Sequence, residues 1–262
     1  MAFFFFALRF LTRLPLGPAR APTGEEFGRS MAFFPLVGLV IGLILDLVYL
    51  PLCSLPFLAG AAVLVAWIAV TGGLHLDGLM DTADGFFANA GRERALEIMK
   101  DSRIGSFALM GAFSVLLLKL AFVVSLPPAA VPLVLPLMAI AGRFTALLLP
   151  AAYPHANPGA GLGGTAARWA GPAEMVKGSF VCAAAIAAVA AAKSLAGGWA
   201  GAAEAAILGF SAWLAAALTG LWLAHASVKR LGGITGDVIG AAVELAETAV
   251  LALAVFIFNV KI

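Results

Sequence analysis

Residues 31–50 read MAFFPLVGLVIGLILDLVYL, twenty positions of which only Asp46 carries a charge. A helix of that length rises about 30 Å, the thickness of a bilayer's hydrocarbon core. Working outward, stretches of the same kind fall near 57–74, 105–126, 131–150, 178–196, 203–225 and 238–260, which predicts seven spans. Pro51 and Pro56, Pro127 and Pro128, and Gly197 and Gly198 punctuate three short connections. Composition agrees: of 262 residues, 63% are hydrophobic and 11% charged, and the mean hydropathy is +1.04. Soluble domains carry about 25% charged residues, so this chain has too few polar side chains to cover a surface in water. The expectation is an all-α, polytopic membrane bundle forming one domain over 1–262.

The opening MAFFFFALRFLTRLP (1–15) has no basic segment ahead of its apolar run and no small-residue cleavage site behind it. That argues against a removed signal peptide. Too short to span, it is expected to lie in the interface, with phenylalanines 3–6 in lipid and Arg9 and Arg13 among headgroups. Of the sixteen Lys and Arg residues, twelve fall in the N-terminal segment and the 75–104, 151–177 and 226–237 loops. Lys193 and Lys261 fall opposite, and Lys119 and Arg143 inside spans. The bias predicts a cytoplasmic N-terminus and cytoplasmic long loops. No basic stripe interleaved with aromatics points to nucleic acid. Cys53 and Cys182, in separate apolar stretches, read as small hydrophobes.

The chemistry concentrates in GGLHLDGLMDTADGFFA (72–88). On a helix, Asp77, Asp81 and Asp84 stand at i, i+4 and i+7 and share one face. One such carboxylate would read as a solvated helix edge. Three repel one another, and a hard divalent cation is the natural compensation. Glu93, Glu97 and Asp101 repeat the spacing at i, i+4 and i+8 and are expected to close the far side. His75 adjoins this face and is a candidate catalytic group, while His155 and His225 read as interfacial histidines.

Positive charge surrounds the acids in Lys100, Arg103, Arg143 and the Lys229 and Arg230 pair. Arg143 interrupts an apolar span, where an arginine is costly without an anionic partner. Arg230 precedes LGGITGD (231–237), a glycine-rich turn opening a helix whose N–H groups suit a phosphate, although a plain turn would look the same. Carboxylates for a metal beside cations for phosphate are the parts of phosphoryl transfer. Neither a P-loop nor an HExxH or Cys/His zinc spacing is present.

Four segments, GGLHLDGLMDTADGFFA (72–88), RALEIMKDSRIGSF (94–107), GRFTALLLP (142–150) and KRLGGITGDVIGAAVEL (229–245), resemble the cobalamin synthase family, the adenosylcobinamide-GDP ribazoletransferases. The openings FLTRLPLG (10–17) and FFPLVGLVIG (33–42) are similar too. The resemblance implies that the 3'-hydroxyl of α-ribazole, or of its 5'-phosphate, attacks adenosylcobinamide-GDP, releasing GMP in a Mg²⁺-dependent reaction at the membrane. Asp77, Asp81, Asp84, Glu97, Asp101, Arg103, Arg143, Arg230 and Asp237 fall on matching motif positions. The separate roles are our own reading of the residues: metal ligation by Asp77, Asp81, Asp84 and Asp101, catalytic work by Asp81, Asp84, Glu97, Asp101 and His75, and substrate contacts from Ser102, Arg103, Arg143, Lys229, Arg230, Thr235, Gly236 and Asp237. The partners are the two substrates and membrane lipid, with a homo-oligomer left open.

The run from Asp81 to Ala88 is also similar to the start of the CDP-alcohol phosphotransferase signature, which continues with Arg where this chain has Asn89. That keeps a lipid phosphotransferase as the runner-up. A divalent-cation transporter is the rival of another class. It would use in-span acids such as Asp46, Glu204, Glu244 and Glu247, of which Glu244 could face the site and Glu247 a helix neighbour.

Overall fold

The computed structural model describes residues 2–18, 20–157 and 170–259, with backbone alone at 196–200. Arg168 and Lys261, which entered the charge count, lie outside the described residues. The elements are α1 (Ala2–Leu11), α2 (Gly24–Ser30), a 3-10 turn (Met31–Phe33), α3 (Phe34–Tyr49), α4 (Pro56–Thr71), α5 (Leu74–Phe87) and α6 (Arg92–Ile98). They continue with α7 (Ser106–Ser125), α8 (Val131–Ala152) and α11 (Gly236–Asn259). Between α8 and α11, helical backbone runs from Pro172 to Leu231. It is not one rod. Gly209 lies against Ile186, positions that a straight helix would hold about 34 Å apart. The segment therefore folds back as two crossings, α9 (Pro172–Leu195) and α10 (Gly201–Leu231).

Helix α8 is the axis of the bundle, buried along almost its whole length by its neighbours. Helix α3 crosses it at Gly38 and Gly42, where the Ala139 carbonyl and the Pro136 backbone occupy the space a side chain would need. Such spacing of small residues lets helix backbones meet closely, which in lipid is the main source of attraction. Outward faces of α4, α7 and α9 carry exposed Phe57, Val65, Leu109, Phe113 and Phe180. Large apolar side chains so placed require lipid as their solvent. The chain is an integral membrane protein; among the described residues six helical segments are long and apolar enough to cross, and α4 qualifies only when taken together with α5, from which it is bent by 90°.

That bend departs from the expected 57–74 span. Gly72 and Gly73 are both left-handed, at φ 64° and 70°, and two such residues in succession end α4 at Thr71. Helix α5 then leaves at 90°. Its Asp84 meets the start of α7 and its Gly78 the start of α11, so α5 lies across one end of the bundle, outside the spanning helices. The α1 expectation also changes. Phe6, Ala7, Leu8 and Leu11 are buried against the protein, and the Arg20 guanidinium sits 5.0 Å from the Phe6 ring centroid.

Candidate active site

Helix α5 puts Asp77, Asp81 and Asp84 on one face, as their spacing requires, but the three occupy different surroundings. Asp77 is exposed and lines two cavities, one of about 430 Å³ and one of about 630 Å³. Asp81 is half-buried. Burial, with the charges of Asp237, Asp77 and Asp84, pushes its carboxyl up to about 7. Asp84 accepts hydrogen bonds from Gly105 N at 2.7 Å and Ala108 N at 2.8 Å. It caps α7, satisfying donors that a helix start leaves orphaned.

The 430 Å³ cavity gathers polar side chains from several elements. From α5 it receives His75, Asp77 and Gly78, and from the start of α11 Thr235, Gly236 and Asp237. Lys100, His155 and Asn157 complete its polar lining, and Phe10, Phe27, Met31 and Phe34 come from the N-terminal elements. Thr235 Oγ1 accepts from Val238 N at 3.2 Å and so caps α11. Gly236 is exposed with open space where a side chain would be, which leaves that helix start accessible to an anion. The remainder of the glycine turn is structural. Gly232 ends α10 in a left-handed conformation, and Ile234 exchanges backbone hydrogen bonds with Pro154 and Ala156 at 2.9 and 2.8 Å.

Several expected site residues lie elsewhere. The second acidic stripe does not form, because α6 stops at Ile98 and Asp101 falls in the following loop. There the Arg103 guanidinium grips Asp101, with contacts down to 2.6 Å, and holds its carboxyl down at about 2. Asp101 and Arg103 line a separate, roughly 390 Å³ cavity with Asp84. Glu97 is exposed and bonded to Arg94 at 2.9 Å, and Ser102 and Lys229 are exposed. Arg230 donates to the Ala88 carbonyl at 2.8 Å, tying α10 to the end of α5.

Arg143 is the largest change. Its side chain is fully buried on α8, and its anionic partner is Glu247 of α11 rather than a substrate. Glu247 also pairs at 2.7 Å with Lys119 of α7, which bonds Glu244 at 2.6 Å and stands 3.9 Å from the centroid of the Trp67 ring. Two cations and two carboxylates thus cancel within the bundle. Sequence reasoning missed Phe10, Phe27 and Phe34 as cavity residues, since nothing local separates an aromatic facing a cavity from one facing lipid.

Among the described residues no three acidic, His or Cys side chains converge into a ready metal cage. Mg²⁺ rarely uses one; it binds through one or two carboxylates together with phosphate oxygens and water. Burial lifts Asp81 most, and the repulsion from Asp237, Asp77 and Asp84 that adds to it is the field such an ion would relieve, so the donor set fits a metal arriving with a pyrophosphate.

Fold and site together describe a polytopic membrane protein with an acidic cleft and an open helix start at one end of its bundle. The family described as cobalamin-5-phosphate synthase matches residues 3–255, and the chain belongs to it. An adenosylcobinamide-GDP ribazoletransferase of Pseudomonas aeruginosa (strain UCBPP-PA14) is 41% identical over 251 residues, 94% of each chain. That of Pseudomonas savastanoi pv. phaseolicola is 40% identical over 252 residues, covering 95% of this chain and 96% of the relative. That of Clostridium acetobutylicum is 33% identical over 253 residues, covering 95% and 94%. No solved structure matches. The protein is a transferase of cobalamin synthesis.

Proposed function

We propose that this chain is an adenosylcobinamide-GDP ribazoletransferase with its cleft on the cytoplasmic face of the bacterial inner membrane. The 3'-hydroxyl of α-ribazole, or of its 5'-phosphate, attacks the cobinamide-side phosphorus. The bond from that phosphorus to the GMP oxygen breaks, GMP leaves with the electron pair, and adenosylcobalamin or its 5'-phosphate forms. The observation that carries the reading is one cavity joining Asp77 of α5 to Asp237 and the open N-terminus of α11, in a chain akin over nearly its full length to enzymes of this name.

In this reading Asp77, Asp81 and Asp237 would hold Mg²⁺, which would supply positive charge to a pyrophosphate. The N–H groups at the start of α11 donate to phosphate oxygens, and Lys100 adds charge at the wall. Asp81, pushed up to about 7 by burial and its acidic neighbours, is the carboxylate with most to gain from the ion. Asp101, held at about 2, is a poor proton acceptor, and the hydroxyl proton passes to water in the open cleft. Pairing of Glu244 and Glu247 with Lys119 and Arg143 leaves those carboxylates already neutralised, which favours an enzyme over a cation transporter.

The test is GMP release by the purified protein in detergent, supplied with both substrates and Mg²⁺. The wild type releases one GMP per cobamide formed. Asp77→Asn and Asp81→Asn each lower kcat by about 100-fold or more, with both variants folded. Wild-type protein that binds both substrates and forms no GMP overturns the reading.

A further inference from the structure

The central cavity has a second side that the phosphoryl chemistry leaves unexplained. Phe10, Phe27 and Phe34 come from α1, α2 and α3 and meet as one aromatic cluster lining it. Ring centroids lie 4.9 Å apart for Phe10 and Phe27, edge to face, and 5.9 Å apart for Phe10 and Phe34, stacked. Phe27 and Phe34 are buried, while Phe10 is half-buried and keeps ring surface free. His75 lines the same cavity at 5% exposure, and its Nδ1 has no hydrogen-bond partner. A buried ring nitrogen without a partner is costly, and a ligand that supplies one relieves it.

We propose that this aromatic side seats the base of the acceptor nucleoside, a flat, apolar fused-ring heterocycle of the benzimidazole class, with His75 meeting its polar atoms. The assignment rests on the ribazoletransferase reading and adds which substrate part the cavity takes. At about 430 Å³ the space is at the small end of ligand sites, enough for one nucleoside and too small for a corrin macrocycle with its side chains. Two nucleosides compete for it, the ribazole and the guanosine of the donor. Guanine would bring an amide N–H, an amino group, a carbonyl oxygen and a ring nitrogen against phenyl walls that pair with none of them. Each buried polar group so stranded is penalised, which makes an apolar wall selective against a polar base. A benzimidazole presents one free ring nitrogen and two broad faces, and stacking on phenyl rings favours it. The polar lining of Asp77, Thr235 and Asp237 belongs to the same cavity, so a base on the phenylalanines puts its own ribose hydroxyls beside the carboxylates.

Phe10→Ala removes ring surface without touching a polar residue, and Phe10→Leu does so while keeping volume should the alanine variant fail to fold. KM for α-ribazole is expected to rise about tenfold in either, with KM for adenosylcobinamide-GDP unchanged. Equilibrium binding of α-ribazole alone to the purified protein should weaken by the same factor, and guanosine should not compete. Competition by guanosine, or a KM effect on adenosylcobinamide-GDP instead, would give the cavity to the donor and overturn the proposal. A folded variant in which neither constant moves overturns it as well, and assigns the aromatic side to lipid. Wild-type protein that binds α-ribazole but never releases GMP would sink the reaction while leaving this seat standing.

Discussion

Asp81 carries the least comfortable charge on the acidic face. Its carboxyl titrates at about 7 in the folded protein and about 4 in an exposed chain. Between those values the folded state holds a proton that the unfolded state has released, so stability without a cation falls as pH rises from about 4 to about 7. A divalent cation takes over the proton's work above that window. Chelation with EDTA should therefore lower the melting temperature more at about pH 8 than at about pH 6. An equal drop at both would separate Asp81 from the metal. Asp84 should behave differently. Removing it in Asp84→Ala strands the Gly105 and Ala108 amides and costs about 1–3 kcal/mol, read as a melting-temperature loss that Asp77→Asn does not show. Spacing alone makes these two residues equivalent. What divides them is the start of α7, more than twenty positions along the chain from Asp84.

At the scale of elements, the charges inside the spans are plain in the sequence but their partners are not. Lys119 and Glu244 are separated by 125 residues, and hydropathy cannot say which face of α7 meets which face of α11. The structure shows a neutral quartet joining α7, α8 and α11, in surroundings where any member alone would be expensive. Lys119→Met leaves a surplus carboxylate and should cost about 3–5 kcal/mol in denaturation measurements. Adding Glu244→Leu to it restores neutrality around the Arg143 and Glu247 pair and should recover most of that loss. If the double variant is as unstable as the single, the quartet's balance is not what matters. Asp101 teaches a converse lesson. Its spacing promised a helical stripe with Glu93 and Glu97, but seven residues of α6 end at Ile98 and the loop hands Asp101 to Arg103.

For the whole molecule, the membrane class and the span positions were legible because hydropathy is a bulk property of each segment. The right-angle bend was less so. Gly72 and Gly73 stand at the end of the apolar run, where the hydropathy marks a boundary, and only their left-handed backbone shows the change of direction. The aromatic side of the cavity was not legible, because it is assembled from three elements, α1, α2 and α3, that meet only in the folded chain.

Helix α4 has sixteen residues, about 24 Å of rise against roughly 30 Å of hydrocarbon. Its outward Phe57, Leu58 and Val65 are exposed, and local thinning of the bilayer beside it is one way such a mismatch is met. A thick membrane would resist that thinning and load the glycine pair from which α5 departs. The angle at which the carboxylates are presented would thereby depend on the length of the neighbouring acyl chains. In reconstituted vesicles, turnover should be faster in short-chain than in long-chain phosphatidylcholine, with KM little changed. The host membrane's thickness would then be a setting of the catalyst, read through one short helix.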